Sequence, residues 1–74
     1  MLPTLISQDA EVLGGIPVFV GTRVPIQTLF DYLTTGETLD EFLDDFPTVT
    51  RGQAVRLLET AGAVVIAYAH EDSD

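Results

Sequence analysis

The fold can be read outward from the segment TLDEFLDDFPTVTRGQ, which occupies residues 38–53. Thr38 and Thr50 are each followed three residues later by Glu or Gln, which is the spacing of a capping box at a helix start. Pro47 separates the two starts, because proline cannot continue a helix. Two helices joined by a turn of about three residues predict a helix-turn-helix. The predicted helices cover about 38–46 and 50–69.

Upstream of this segment, the sequence predicts another helix at about 25–35. Pro25 suits its first helical position, since the fixed φ of proline is already helical. Gly36 stands where a left-handed residue would end the helix. The first two helices each carry one apolar stripe with the spacing i, i+3, i+4, i+7, which predicts one buried face apiece. These stripes are Ile26, Leu29, Phe30 and Leu33, then Leu39, Phe42, Leu43 and Phe46.

The amino-terminal part, about 5–24, is predicted to form a short β-ribbon. Its segment 16–20 is rich in β-forming residues, but Pro17 restricts it to an edge strand or a strand start. Arg23 and Val24 can run back beside that strand. A ribbon this short is not stable alone, so it packs on the helices or pairs with another subunit. Residues 1–74 are therefore predicted to be one mainly α domain, a three-helix helix-turn-helix with a short N-terminal β-ribbon.

The small size of the chain predicts self-association. Domains of 74 residues bury a modest share of their surface and are usually reinforced by disulfides, a metal or oligomerisation. The chain has no cysteine and one histidine, His70, which argues against a disulfide and a structural metal. A homodimer is the reinforcement that remains.

The second half of the third helix indicates where such a dimer would form. Residues 62–69 are apolar on every side, and a helix of that kind has to be covered on every side. We expect the dimer face to contain Ala63, Ile66 and Ala67. The alternative is that the β-branched run at 64–66 belongs to a strand.

The charge of the chain bears on its partners. Twelve carboxylates against three arginines give a net charge of −9, and such a surface repels nucleic acid and attracts basic proteins. The longest apolar run is about half the ~20 residues of a membrane span, and the amino terminus lacks a signal-peptide pattern. We therefore expect a soluble cytoplasmic protein that does not bind membranes.

Catalytic chemistry is not predicted from these residues. No nucleophile lies beside a base in the sequence, and no phosphate-binding glycine loop or zinc spacing occurs, so no catalytic residue, cofactor or metal is predicted. One acidic cluster has three interpretations. In decreasing order of weight, it is a solvated helix face, a docking surface for a basic protein, or a metal site. The cluster consists of Asp40, Glu41, Asp44 and Asp45.

The start of the third helix raises the question of DNA. In a helix-turn-helix, this is the element that meets base edges, and here it carries Arg51, Gln53 and Arg56. Three arginines in the whole chain cannot neutralise the six to ten phosphates of a tight site. A competing interpretation pairs the two helix arginines with acids such as Asp44, Asp45 or Glu59. DNA binding by this chain alone is expected to be weak.

Residues 14–26, GGIPVFVGTRVPI, resemble the signature segment of the domain-of-unknown-function 433 family. The turn at 36–38 and the Phe46-Pro47 pair followed by Thr50 resemble later parts of the pattern, so the resemblance covers about 5–69. It implies a structural role for the matching residues, although Arg23 is also suited to anchor the ribbon to an acid. The matching signature residues are Gly15, Pro17, Gly21, Thr22 and Arg23.

The resemblance implies a homeodomain-like or winged-helix-like fold and a role like that of Vap-type antitoxins, which are encoded beside a PIN-like nuclease. It brings no catalytic residues. This chain lacks lysines on its third helix, which weakens the case for DNA more than the case for a protein partner. The leading hypothesis is neutralisation of a PIN-like nuclease by protein–protein contact. The alternatives are a DNA-binding transcriptional regulator that uses the third helix, and a small subunit of another complex.

Overall fold

The computed structural model describes the backbone of residues 5–72 and the side chains of residues 5–69. A short antiparallel ribbon precedes three helices, which confirms the predicted mainly α fold. The strands are β1 (Ile6–Ser7) and β2 (Val18–Phe19), with a single 3₁₀ turn at Leu13–Gly15 between them. The helices are α1 (Ile26–Thr34), α2 (Leu39–Asp45) and α3 (Arg51–Asp72).

Strand β2 is paired on both sides. Ile6 of β1 lies opposite Phe19, while the Phe19 N–H donates to the Val24 carbonyl at 3.0 Å on the other side. The predicted return of the chain beside β2 therefore exists as an isolated bridge between Val18 and Pro25. Strand β1 was not predicted, because a two-residue strand is too short to show an alternating pattern.

The limits of α1 agree with the helix start and stop signals in the sequence, with one correction. Pro25 is the N-cap and not the first helical residue, since its ψ of 141° is extended and its backbone is bridged to β2. At the other end Gly36 has φ 92°, as predicted for a left-handed residue. Its N–H donates to the Leu33 carbonyl at 3.4 Å and the Glu37 N–H to the Tyr32 carbonyl at 2.9 Å, which is a Schellman motif.

Both predicted capping boxes form. The Thr38 hydroxyl accepts from the Glu41 N–H at 3.1 Å, and the Glu41 carboxylate accepts from the Thr38 N–H at 2.7 Å. At α3 the Thr50 N–H donates to Gln53 Oε1 at 2.9 Å, and the Gln53 N–H donates to the Thr50 hydroxyl at 3.1 Å. The helix-turn-helix is thus fixed by local side-chain bonds on both sides of Pro47.

The core lies where the ribbon and all three helices meet. Phe19, Leu29 and Phe42 are almost completely buried, and α3 contributes Ala54 and Leu57. The Phe42 ring also joins an aromatic cluster, because its centroid lies 5.4 Å from Tyr32, 5.2 Å from Phe46 and 6.0 Å from Phe19. The Phe42 ring therefore connects α2 to α1 and to β2.

The carboxyl-terminal half of α3 departs from expectation. Residues 63–68 are helical, so the strand alternative is wrong, in keeping with the high helix propensity of the alanines around the β-branched run. The helix continues to Asp72, past its predicted end at about residue 69, and residues 73–74 lie outside the described part. Residues 62–69, here called the overhang, are all exposed in the single chain, and their burial against a second copy stays a prediction.

Candidate functional site

The four predicted docking carboxylates lie together on one side of α2. Asp40, Glu41, Asp44 and Asp45 are all exposed, and the i, i+1, i+4, i+5 spacing sets them opposite the buried Phe42. We call this set the acidic face of α2. Asp31 and Glu37 are exposed as well, and no cation lies between residues 24 and 50 to offset these six charges.

Three members of the acidic face also have structural bonds. Glu41 belongs to the capping box, and Asp40 forms an ion pair with Arg51 at the start of α3. Asp45 accepts a hydrogen bond of 2.6 Å from the Tyr32 hydroxyl. This bond, together with burial and the nearby negative charges of Asp45, Glu37 and Glu41, raises the pKa of Tyr32 to about 12.

Asp44 differs from its neighbours, because its carboxylate has no hydrogen bond or ion pair among residues 5–69. The sequence had suggested Asp44, Asp45 or Glu59 as partners of the helix arginines, and that was wrong for Arg51, which pairs with Asp40. Asp40, in the first turn of α2, is the acid that lies within reach of Arg51 at the start of α3. Asp44 is the carboxylate that remains available to a partner.

The predicted base-reading residues are only partly available. Both ends of the Gln53 amide are used, since Oε1 accepts from Thr50 and Nε2 donates to the Val20 carbonyl at 3.0 Å. Arg51 is engaged with Asp40, although its side chain is 61% exposed. Arg56 is exposed and has no bond to the side chains that the structure describes. A DNA-reading surface here would therefore depend on two arginines without the glutamine.

The last three signature residues, Gly21, Thr22 and Arg23, lie in the turn between β2 and α1. Gly21 adopts φ 77°, which favours glycine. The Thr22 hydroxyl donates to the Phe19 carbonyl at 2.8 Å and accepts from the Val24 N–H at 3.0 Å. Arg23 is exposed, and the predicted alternative of a ribbon anchored to an acid does not occur among residues 5–69. Earlier in the signature, Gly15 adopts φ 92° and Pro17 directly precedes β2.

Replacing Thr22 with valine should therefore destabilise the domain, whereas replacing Arg23 with glutamine should not. Valine keeps the shape but leaves the part-buried Val24 N–H without an acceptor, and we expect a loss of about 1–2 kcal/mol. Arg23→Gln removes only an exposed charge and should change stability by less than about 0.5 kcal/mol. Urea denaturation of both variants measures the difference. Equal stability of the two variants would contradict the structural role assigned to Thr22.

The overhang carries an apolar stripe that the domain does not cover. Leu57 and Ala61 face the body of the domain, and the same stripe continues at the spacing of three and four residues through Val65 and Tyr68. Val65 is 65% exposed and Tyr68 is 70% exposed. The predicted dimer face of Ala63, Ile66 and Ala67 lies on the other side of the helix and is exposed too. Its role in a dimer stays a prediction.

A second apolar surface lies at the other end of the sequence. The ribbon and α1 enclose a groove of about 590 Å³. Ile16, one of its side chains, is 44% exposed. Gln27 is its one polar lining residue, and the groove contains no charged side chain. The lining residues are Ile6, Ile16, Pro17, Pro25, Ile26, Gln27 and Phe30. We call this surface the apolar groove.

The described part of the chain contains neither a candidate metal site nor a helix that could span a membrane. Among residues 5–69, no three histidine or carboxylate side chains come close enough to hold a metal ion. No helix within residues 5–72 has both the length and the apolar character needed to cross a bilayer.

Comparison with known families assigns the chain. A family model described as "Protein of unknown function (DUF433)" matches residues 6–59, nearly three quarters of the sequence. The chain belongs to the DUF433 family. The DUF433 match contains the signature turn, the helix-turn-helix and the apolar groove, but it ends before the overhang, whereas the resemblance had suggested 5–69. No curated protein and no solved structure matches the chain.

Proposed function

We propose that this DUF433 protein is a non-catalytic, cytoplasmic binding module that acts as an antitoxin, neutralising a PIN-like nuclease through protein–protein contact. The observation that carries the proposal is the acidic face of α2, four exposed carboxylates on one side of a helix with two further exposed acids nearby. The family-signature resemblance supplies the class of partner. The charge supplies the chemical reason for the contact.

Charge complementarity favours a basic protein over DNA. An RNA-cleaving enzyme needs a cationic surface to hold the phosphate backbone, and an acidic face can occupy that surface in place of the nucleic acid. Like charges on the two molecules would instead slow their encounter. With a net charge of −9, the protein is attracted to such a nuclease and repelled by the RNA that the nuclease binds.

Asp44 provides the sharpest test, because its replacement breaks no observed bond. We expect the protein to co-purify with the product of the adjacent reading frame, to inhibit its nuclease activity, and to restore growth of cells that express it. Asp44→Lys should slow association by about tenfold at low salt, since steering by opposite charges is reversed at the contact. Surface-captured nuclease with the variant in solution gives the rate.

Glu59→Lys is the matched control for that experiment. Glu59 is an exposed acid on α3, so the change in net charge is identical while its position is outside the acidic face. The control should associate at nearly the rate of the natural chain. Equal slowing by the two substitutions would show that only overall charge matters. A neighbouring product without nuclease activity, together with no rescue of growth, would contradict the proposal itself.

A DNA-binding regulator is the second candidate, favoured by the exposed arginines on α3. Arg56 faces solvent and Arg51 is held there by an exposed ion pair. A gel shift at low salt with the upstream DNA of its own gene tests this candidate. Retardation that disappears in Arg56→Gln would favour DNA, while unretarded DNA at the highest protein concentration would remove this function.

A further inference from the structure

The overhang is an apolar surface that a single copy of the chain leaves exposed. Residues 60–69 contain no charged side chain, and the large apolar residues among them are between 58% and 70% exposed. Exposed apolar patches on small domains usually mark contacts with another molecule. The family match ends at Glu59, so the overhang lies outside the part of the chain that the family model matches.

The apolar groove has the complementary shape. It is concave where the overhang is convex, and its volume of about 590 Å³ is in the range of sites that enclose apolar groups. It lies on the ribbon and α1, whereas the overhang lies at the far end of α3, so one chain presents both halves of a contact. We propose that the overhang of each copy lies in the apolar groove of a second copy, in a reciprocal two-fold dimer.

The charge distribution allows a second copy to be the occupant. Two molecules that each carry a net charge of −9 repel one another over most of their surfaces, and this repulsion is weakest where uncharged surfaces meet. Both the overhang and the groove are uncharged. A dimer formed through them also leaves the acidic face of α2 free, so the dimer does not depend on the proposed function.

Area decides between reciprocal docking and a simple crossing of two overhangs. Eight helical residues are about 12 Å long and about 10 Å wide, so one side of the overhang offers roughly 200 Å². A standard interface buries about 800 Å² per partner, far more than that. Reciprocal docking lets each copy contribute an overhang and a groove, which about doubles the buried area. The result is a small interface, for which we expect dissociation at micromolar concentration.

The side of the overhang that enters the groove is set by side-chain size. Val65 and Tyr68 continue the core-facing stripe of α3 and are large enough to fill a concave surface. Ala63 and Ala67 lie on the opposite side, where Ile66 is the one large side chain, so that side fills a concave surface less completely. In this arrangement the side predicted from sequence as the dimer face, with its alanines, remains exposed.

Sedimentation velocity from about 1 µM to about 200 µM tests the dimer. We expect the natural chain to move from monomer to dimer over this range. Val65→Glu in the overhang and Ile16→Glu in the groove should each weaken dimerisation at least tenfold, because either one brings a carboxylate into an apolar contact. Val20→Glu is the control, because Val20 is 38% exposed, close to the 44% of Ile16, and belongs to neither surface, so this variant should dimerise normally.

Mixing the two variants makes the test specific. Each variant alone has lost both contacts of the reciprocal dimer, but a mixed pair regains one, since the intact overhang of Ile16→Glu meets the intact groove of Val65→Glu. We therefore expect partial recovery of the dimer on mixing, which an unfolded variant cannot give. A natural chain that stays monomeric, a dimer insensitive to Ile16→Glu, open-ended polymers, or no recovery on mixing would each overturn the proposal.

Discussion

Replacing Phe42 with alanine is expected to destabilise the domain by about 3–5 kcal/mol, a large share of its stability. A domain of 74 residues has roughly 4–11 kcal/mol of stability in total. The Phe42 side chain is completely buried and contacts three other aromatic rings. Its removal leaves a cavity. The elements around it, α1, α2 and β2, are held in place by their own backbone hydrogen bonds, so they cannot move together to fill it.

Urea denaturation followed by circular dichroism measures this loss. Phe42→Leu is the conservative comparison, since leucine refills most of the space, and it should cost less than half as much. Leu43→Ala tests position in the same helix, because Leu43 is only half-buried. A loss below about 1 kcal/mol for Phe42→Ala would mean that the core is not organised around this ring.

Ala54→Asp is expected to unfold the chain at neutral pH. Ala54 is completely buried in α3, and the described core contains no buried polar or charged side chain that could pair with a carboxylate. An unpaired carboxylate in such a site costs several kcal/mol even after its pKa rises. That cost is comparable to the total stability of a domain of this size.

Ala63→Asp provides the matched control on the same helix. Ala63 is exposed, so the same change of side chain and charge should alter stability by only about 0.5 kcal/mol. Thermal unfolding of the two variants, monitored by circular dichroism, compares them directly. A cooperative transition for Ala54→Asp near that of the natural chain would contradict the packing of α3 against the other helices.

The parts of the fold that sequence predicted are those set by local rules. A capping box joins residues three apart, and a left-handed glycine acts within one turn, so Thr38, Thr50 and Gly36 could be interpreted without knowing the fold. The apolar stripes likewise need only the helical repeat. These signals gave three helices in nearly correct positions and the turn between α2 and α3.

The contacts that sequence did not predict join residues far apart in the chain. The Tyr32–Asp45 hydrogen bond and the Arg51–Asp40 ion pair depend on how the helices pack, and periodicity within one helix contains no such information. The overhang was predicted in part. The sequence indicated that residues 62–69 need a second copy to cover them, but it did not show that all eight residues are exposed within one chain.

Gln53 connects two parts of the protein that sequence treats as separate. Its amide oxygen accepts from the Thr50 N–H in the capping box of α3, and its amide nitrogen donates to the Val20 carbonyl directly after β2. A genetic screen will therefore find Gln53 intolerant of substitution whatever the protein binds. If a Gln53 mutant loses function, the cause is a weakened contact between the ribbon and α3, and the result does not identify the ligand. Substitutions at Arg56 or Asp44 break no observed side-chain bond, so they can distinguish a DNA ligand from a protein ligand.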